Sequence, residues 1–513
     1  MVQRLVTSLS SIVGTGHVLT DTAEREYYSH DVFFWDDVVL PEVVVRPRTA
    51  AQVAKIVTFC ISRDLCLSIR GGGMSYTQGY GPTNDGTVLL DMGRLQDIRE
   101  VNTTDRYVIA EAGCTWQQVS EALKPHGLVV DFPAPLSGSH STVGGALSQN
   151  VPGSMRGVLA VEVIRADGGC LQTGTWGRSG NSQPFGRDYG PDLTGMFLGD
   201  CGAFGIKTAA VIRLKTTLPG RAFASFAFET FEDMAATMIN LSPYDFIVRR
   251  TGLDPYESQT IAKVGLRDAV NVVSKVAAVE DSLGAGIKEI GKMAIAGSGF
   301  MEGVRWSLHL KTSGITDLDA ETGMSQVRSE CLQRARELPD LLPRARDAVG
   351  FSIRKFLGPS GERWVATSSI WPISQAVEVA QEVQEFFARH RTIMDQYGVW
   401  ESYITNFSSH YFLCEPCFYW SDEVSELHLR HLPSAEAKRF GRIPANPEAR
   451  SFVKNLRRDL RELFHSMGSV HVQIGKFYKY REVLAPETGR LLTEIKYMLD
   501  PERRLSRGNL GFD

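Results

Sequence analysis

The sequence predicts an α+β protein with two or three domains, and three observations support this fold class. Helical and β-like patterns alternate along the first part of the chain, which is typical of layered α+β architectures. Several loops rich in small residues interrupt that alternation. The chain has 513 residues, of which 43% are apolar and 22% charged, as in an average soluble globular protein.

The first elements follow one another closely. Residues 51–64 carry apolar side chains at helical spacing, and residues 65–69 form a strand that leads into three consecutive glycines. Further strands are predicted at 88–91 and 107–112. Thr115 then caps a predicted helix over residues 116–124. We therefore expect strand, helix, strand and glycine loop in this order.

Three loops of small residues mark a candidate binding site, at residues 70–79, 132–150 and 199–206. A run of three glycines loses much chain entropy on folding, so it is kept where a positive φ or a missing Cβ is needed. The successive N–H groups between Arg70 and Ser75 can form a nest for an anion such as a pyrophosphate. An ordinary glycine turn is the alternative for one loop, but three loops indicate one extended ligand.

The middle of the chain mixes β-like segments at 222–228, 305–311 and 364–371 with a long helical pattern at 375–397. Aromatic residues become frequent after residue 400, which is typical of a core and also of a pocket for an apolar substrate. In the tail, residues 450–513 carry two further helical patterns, the second closing at Asp500-Pro501.

Composition argues against several classes. The 55 Lys and Arg against 59 Asp and Glu give a net charge of −4 and no broad basic field, so nucleic acid is not expected as a partner. We find no run of 18 apolar residues and no secretory signal, and the eight cysteines are thinly spread. We therefore expect a cytoplasmic protein without a membrane span.

Motifs of other enzyme classes are missing from the sequence. There is no G-x-S-x-G elbow, H-E-x-x-H helix or G-x-x-x-x-G-K-[ST] loop, and Tyr76 stands where a G-x-G-x-x-G motif would have its last glycine. Cys414 and Cys417 have C-x-x-C spacing without a second pair, so we interpret them as buried apolar side chains and expect no metal site.

Five motifs follow one another between residues 41 and 216, and two further segments, 499–501 and 507–511, stand in the tail. The motifs are Arg46-Pro47-Arg48-Thr49, Arg70 to Ser75, Glu111-Ala112-Gly113, Leu136 to Asn150, and Asp192-Leu193 with Gly199 to Ile206. In this order they resemble the PCMH-type FAD-binding domain of the family of vanillyl-alcohol oxidase and p-cresol methylhydroxylase. The tail segments resemble the part of the chain that returns to the flavin domain in that family.

The resemblance implies an FAD-binding domain built from both chain ends, 1–217 and 450–513, with an inserted α+β cap or substrate domain at 218–449. FAD is the implied cofactor. By carry-over, the loops would contact its pyrophosphate, its isoalloxazine and ribityl chain, and its adenosine half. The implied FAD-binding residues are Arg70, Gly71, Gly72, Gly73, Met74, Ser75, Pro135, Leu136, Ser137, Gly138, Thr142, Gly144, Gly145, Ser148, Gly202, Gly205, Ile206 and Asn509.

Covalent attachment of the flavin is not the main expectation. Met74 stands where many members carry a flavin-linking histidine, and His140 lies near the place of a linking cysteine. Neither bond can form here. We therefore expect non-covalent FAD, with His410 as the alternative linking residue from the cap.

The implied activity is oxidation of an alcohol with an aromatic or apolar body, by hydride transfer to the flavin. For proton removal the candidates are His471 and Tyr478, with His140 near the flavin. Two alternatives stay open, a 2-hydroxy acid dehydrogenase and a flavin-binding protein without turnover. A small-molecule substrate is expected, and a homodimer is compatible with the sequence.

Overall fold

The computed structural model describes residues 2–131, 137–149, 157–180, 182–256, 301–349 and 356–513. Within these ranges helices and strands are mixed, so the predicted α+β class is confirmed. Three β-sheets carry the fold. The predicted residues Pro135 and Leu136 lie outside the described part, as do Arg354 and Lys355.

The first sheet has four strands in the order β1-β2-β4-β3. Strand β4 pairs in parallel with both β2 and β3, whereas β1 pairs antiparallel with β2. Apolar side chains of two helices, α1 and α3, form one core with this sheet, and a third helix, α2, packs on its other face. The bounds are β1 Val18–Leu19, β2 Val43–Val45, β3 Leu67–Arg70, β4 Val88–Asp91, α1 Val2–Val13, α2 Thr22–Ser29 and α3 Ala50–Ile61.

The second sheet is antiparallel, with strand order β5-β6-β10-β8-β9, and β7 pairs with the far end of β10. The predicted helix capped by Thr115 is present as α4, and the hydroxyl of Thr115 accepts from the Gln118 N–H. The strands of the second sheet and the helices in this part of the chain have the bounds β5 Ile98–Asn102, β6 Tyr107–Glu111, β7 Leu128–Val130, β8 Val158–Ile164, β9 Cys170–Gln172, β10 Ile206–Thr216, α4 Trp116–Leu123, α5 Val143–Ser148 and α6 Leu193–Met196.

The third sheet is antiparallel and has strand order β14-β11-β13-β12-β17-β18-β15, with β16 beside β18. The aromatic-rich stretch after residue 400, for which the sequence analysis predicted no element, is a β-hairpin of β17 and β18. Its strands and helices are β11 Gly220–Phe228, β12 Ile247–Leu253, β13 Trp306–Gly314, β14 Arg336–Leu338, β15 Arg363–Ala366, β16 Ser369–Pro372, β17 Val399–Phe407, β18 Tyr411–Trp420, α7 Phe231–Leu241, α8 Asp317–Cys331, α9 Leu341–Val349 and α10 Ala376–Tyr397.

Residues of the tail hydrogen-bond to strand β3 of the first sheet. The Leu67 N–H donates to the Arg504 carbonyl (2.8 Å), and the Ser506 N–H donates to the Leu67 carbonyl (2.8 Å). The exact domain bounds stay a prediction. The remaining helices are α11 Glu426–Leu429, α12 Ser434–Phe440, α13 Pro447–Ser466 and α14 Pro486–Leu499.

No helix in the described ranges is long and apolar enough to cross a membrane.

We predict that the free energy of unfolding falls as the pH is lowered from 6.5 towards 4. Burial lowers the pKa of His30, His431 and His471 to about 4 and that of His309 to about 3, so the unfolded chain binds these protons more tightly. Asp31 acts in the opposite direction because burial raises its pKa to about 6. Urea unfolding at pH 7.5 and pH 5 measures the difference. Equal or greater stability at pH 5 would contradict it.

Candidate functional site

The glycine loop after β3 lies directly against the second small-residue loop. A Cβ on Gly72 would overlap the carbonyl oxygen of His140, and a Cβ on Gly71 would overlap the hydroxyl of Thr142. Gly73 has φ +74°, a conformation that side chains other than glycine rarely adopt. The main chain therefore needs glycine at three successive positions.

The second and third small-residue loops also meet. Residues 143–148 form the short helix α5, where the sequence predicted only loop, and Thr142 caps it by accepting from the Gly145 N–H (3.3 Å). The Cys201 N–H donates to the Ser148 carbonyl (2.8 Å). All three loops thus border one cleft.

Most of the predicted cofactor-binding residues that the structure describes line this cleft. They come from three distant parts of the chain, as expected for one extended ligand. The predicted residues in the lining are Gly71, Gly72, Gly73, Met74, Ser75, Ser137, Thr142, Gly144, Gly145, Ser148, Gly202, Gly205 and Ile206.

Three predicted cofactor residues lie behind the lining. The buried guanidinium of Arg70 is surrounded by the rings of Tyr27, Tyr28 and Tyr80, at 4.8–5.4 Å from their centroids. Gly138 belongs to the second loop, where its carbonyl accepts from the Gln117 N–H.

Asn509 joins two of the loops from the tail. Its amide nitrogen donates to the carbonyls of Gly79 (2.7 Å) and Cys201 (2.6 Å). The tail therefore ties the first and third small-residue loops together.

One end of the cleft carries a hydrogen-bonded group, formed by buried Tyr76 with half-buried Glu415 and Gln473, that the sequence analysis did not select. The Tyr76 hydroxyl donates to Glu415 Oε1 (2.7 Å) and accepts from Gln473 Nε2 (3.4 Å). Tyr76 belongs to the glycine loop, Glu415 to β18 and Gln473 to the tail. Burial, and then the Glu415 charge, raise the pKa of Tyr76 well above its usual value, so the phenol stays a donor.

The walls around this group are apolar. The ring of Trp364 meets Tyr76 edge to face at 5.5 Å, and Phe356 packs on Trp364 at 5.3 Å. Ile404, which lies opposite Glu415 in the hairpin register, completes the lining. A carboxylate in such surroundings costs desolvation energy unless it is hydrogen-bonded, as Glu415 is to the Tyr76 hydroxyl.

The predicted catalytic residues lie elsewhere. The His471 Nδ1 is 2.7 Å from the Ser368 carbonyl, and its ring stacks on Tyr478 with centroids 4.0 Å apart. The Tyr478 hydroxyl accepts from the Ser368 N–H (2.7 Å). Neither residue lines the cleft, so their catalytic role stays a prediction.

His140 and His410 also lie outside the lining. The His140 ring packs on His431 with centroids 4.2 Å apart, while its carbonyl faces Gly72. His410 is exposed in the turn between β17 and β18. His410 precedes Glu415 by five residues, which corresponds to roughly 17 Å along an extended chain.

Within the described residues, no group of three or more His, Cys, Asp or Glu side chains is arranged to hold a metal ion. The side chains of Cys414 and Cys417 are both buried. Lys207, the lining cation, pairs with buried Asp200 at 2.6 Å. Because Lys207 is neutralised by Asp200, the carboxylate of Glu415 is the charged group of the lining that we consider further.

Comparisons with known proteins find relatives for the part of the chain that contains the glycine loop. Residues 41–174 match the FAD binding domain family. The chain is 29% identical over 252 residues to glycolate oxidase subunit GlcD of Bacillus subtilis, covering 46% of this chain and 50% of that one. It is 30% identical over 207 residues to the mitochondrial D-2-hydroxyglutarate dehydrogenase of Bos taurus, covering 38% and 36%. The chain thus spans half or less of these curated relatives.

Two solved structures share the fold over the whole chain. The structure of p-cresol methylhydroxylase with substrate bound matches with TM-score 0.72 and 18% identity, covering 100% of this chain and 97% of that one. The isoeugenol complex of 4-ethylphenol oxidase from Gulosibacter chungangensis matches with TM-score 0.73 and 18% identity, covering 99% of this chain and 97% of that one. The chain carries an FAD binding domain, and the PCMH-type resemblance predicted from its motifs is confirmed.

The residues present fit FAD on structural grounds as well. Buried polar atoms without a partner gather around the cleft loops, and the loops expose main chain rather than side chains. These atoms are Arg70 Nε and Nη2, Ser139 Oγ, Ser141 Oγ, Ser506 Oγ and Asn509 Oδ1.

We predict that Gly72→Val empties the protein of FAD, because the new side chain forces the glycine loop away from His140. The ratio of absorbance at the flavin band to that of the protein band measures occupancy. Gly16→Ala is the matched control, since nothing lies within 4 Å of a Cβ at Gly16. Full occupancy in Gly72→Val would contradict the assignment of the cleft.

Proposed function

We propose that this protein is an FAD-dependent oxidoreductase that oxidises an alcohol with an aromatic or apolar body to a carbonyl. The observation that supports it is the hydrogen-bonded pair of Tyr76 and Glu415 at the apolar end of the FAD cleft. Bound FAD would supply a hydride acceptor for the substrate carbon. The protein must then orient that carbon and take up the hydroxyl proton.

The residues at this end suit those tasks. Glu415 is a carboxylate beside the Tyr76 phenol and is the base that we propose for the hydroxyl proton. Tyr76 holds that carboxylate in place as a donor, and Gln473 bonds the phenol oxygen from the tail. The rings of Phe356 and Trp364 exclude water and offer an apolar surface to the body of the substrate.

A 2-hydroxy acid dehydrogenase is the second candidate, because several relatives carry such names. That substrate needs a cation to hold its carboxylate. Among the described residues, Lys207 is neutralised by Asp200, Lys311 pairs with Asp347 at 2.8 Å, and Arg305 is exposed. An uncharged alcohol therefore suits the described lining better than an acid.

A flavin-binding protein without turnover is the third candidate. Anaerobic addition of a panel of alcohols and 2-hydroxy acids, followed by the flavin absorbance, distinguishes the three candidates. Bleaching of the flavin by aryl and alkyl alcohols supports the main proposal, and bleaching only by 2-hydroxy acids supports the second. A flavin spectrum that no alcohol or acid changes supports the third. The expected cytoplasmic location and a homodimer stay predictions, testable by fractionation and light scattering.

We predict that FAD is held without a covalent bond. Met74 lacks the imidazole or thiol that could form a stable bond to the flavin, and His410 is exposed in a hairpin turn outside the cleft. Acid precipitation of the yellow protein should leave the flavin in the supernatant, and His410→Ala should leave occupancy unchanged. Yellow colour in the washed precipitate of the parent protein, lost in His410→Ala, would contradict this.

We predict that Glu415→Gln lowers kcat by about 100-fold or more, as loss of a general base does. FAD occupancy should stay at the parent level, because Glu415 lies at the substrate end of the cleft. Stopped-flow reduction of the flavin by the best alcohol of the panel measures the effect.

The matched control for this variant is Glu385→Gln, whose carboxylate is 66% exposed on α10 and far from the cleft lining. It should reduce the flavin at the parent rate. Equal rates in Glu415→Gln and Glu385→Gln would exclude Glu415 as the base.

A further inference from the structure

Arg457 of helix α13 is fully buried where the glycine loop meets the third sheet. Its Nη2 donates to two carbonyl oxygens, that of Tyr76 at 3.3 Å and that of Ala366 at 3.1 Å. Tyr76 is in the glycine loop and Ala366 is in β15. One guanidinium nitrogen therefore joins two segments that are far apart in the chain.

Those two segments carry the two halves of the proposed proton-accepting pair. The first carbonyl belongs to Tyr76 itself. Ala366 pairs with Cys417 in the β15–β18 register, and Glu415 lies two residues before Cys417 on the same strand. The nitrogen of Arg457 thus fixes the backbone behind the Tyr76 phenol and the backbone beside the Glu415 carboxylate.

The surroundings of Arg457 argue against a role in packing alone, because burying its charge there is destabilising. Its described hydrogen-bond partners are neutral, and its guanidinium packs over the rings of Phe477 at 4.3 Å and Phe33 at 4.8 Å. Burial lowers the pKa of Arg457 to about 10, which still leaves it charged near pH 7. A buried charge without a carboxylate in contact costs stability that an apolar side chain of similar size would not.

We propose that Arg457 is a positioning residue that sets the hydrogen bond between Tyr76 and Glu415. This inference rests on the proposed function, in which that bond orients the base. Arg457 acts through the main chain: it does not itself line the cleft, and its described hydrogen bonds go to Tyr76, Ala366 and Thr367 and not to Glu415. Its removal should leave the cleft formed but the Tyr76 phenol displaced from the carboxylate.

The chain offers a matched control one helical turn further along α13. Arg461 also packs over Phe477, at 5.2 Å, and also donates to a carbonyl, that of Phe477 at 2.6 Å. It does not bond to Tyr76 or Ala366. Arg457→Met and Arg461→Met therefore remove the same side chain from the same helix face, but only the first releases the two carbonyls.

We expect Arg457→Met to lower kcat about tenfold with KM changed less than about twofold, because misplacing the base affects the chemical step more than binding. Arg461→Met should keep the parent kcat. In a Tyr76→Phe background, Arg457→Met should lower kcat little further, since the bond that it positions is already gone. Arg457→Lys, which keeps the charge, should fall between the parent and Arg457→Met.

Equal losses of kcat in the parent and the Tyr76→Phe background would overturn the proposal. Crystal structures give a second readout, independent of activity. We expect the Tyr76 Oη to Glu415 Oε1 distance, 2.7 Å here, to lengthen in Arg457→Met and to stay in Arg461→Met. An unchanged distance in Arg457→Met would also overturn it. If Arg457→Met does not fold, Arg457→Lys takes its place in both measurements.

The two proposals fail in different ways. A parent protein that binds FAD but oxidises no alcohol or 2-hydroxy acid of the panel refutes the proposed function, while the crystallographic comparison still decides whether Arg457 positions Tyr76. A parent protein that turns over, with additive kcat losses, refutes only the role of Arg457.

Discussion

The close approach of two loops, without side chains between them, is the constraint on which the rest of the structure depends. The glycine loop can reach the second loop only because Gly71 and Gly72 have no Cβ to meet Thr142 and His140. That approach fixes the course of the chain up to Tyr76, whose side chain then extends to the third sheet. A steric requirement in the glycine loop therefore helps to determine where the Tyr76 hydroxyl lies.

The third sheet must also be held against the glycine loop, and buried arginines do this through carbonyl groups. Arg363 on β15 donates to the carbonyls of Val32 (2.8 Å) and Phe33 (2.9 Å), and Arg457 joins Ala366 to Tyr76. Carbonyl groups do not neutralise a guanidinium, so burying each of these arginines costs the desolvation of a charge. A planar donor that bonds a strand to a loop gives directional docking that apolar contacts lack.

Local pattern predicted the elements whose causes are local. The helical spacing at 51–64 gave α3, the Thr115 cap gave α4, and the triple glycine was identified as backbone for a ligand. The hairpin of β17 and β18 was missed because its aromatic side chains suit a core and a pocket equally. Strand β10 was missed because its start at Ile206 directly follows a small-residue loop. In both cases pairing with distant strands decides the structure.

Glu415 shows why the substrate end of the site was harder to predict than the cofactor end. Its partner Tyr76 is 339 residues away in sequence, so no spacing rule connects them. A signal was present, because one carboxylate interrupts the apolar run of β18 between two buried cysteines. Glu415 is half-buried, and a carboxylate in an apolar wall costs desolvation unless it is hydrogen-bonded. Cofactor loops can be recognised from their glycines, whereas a single carboxylate on a strand, such as the proposed base, has no local sequence pattern around it.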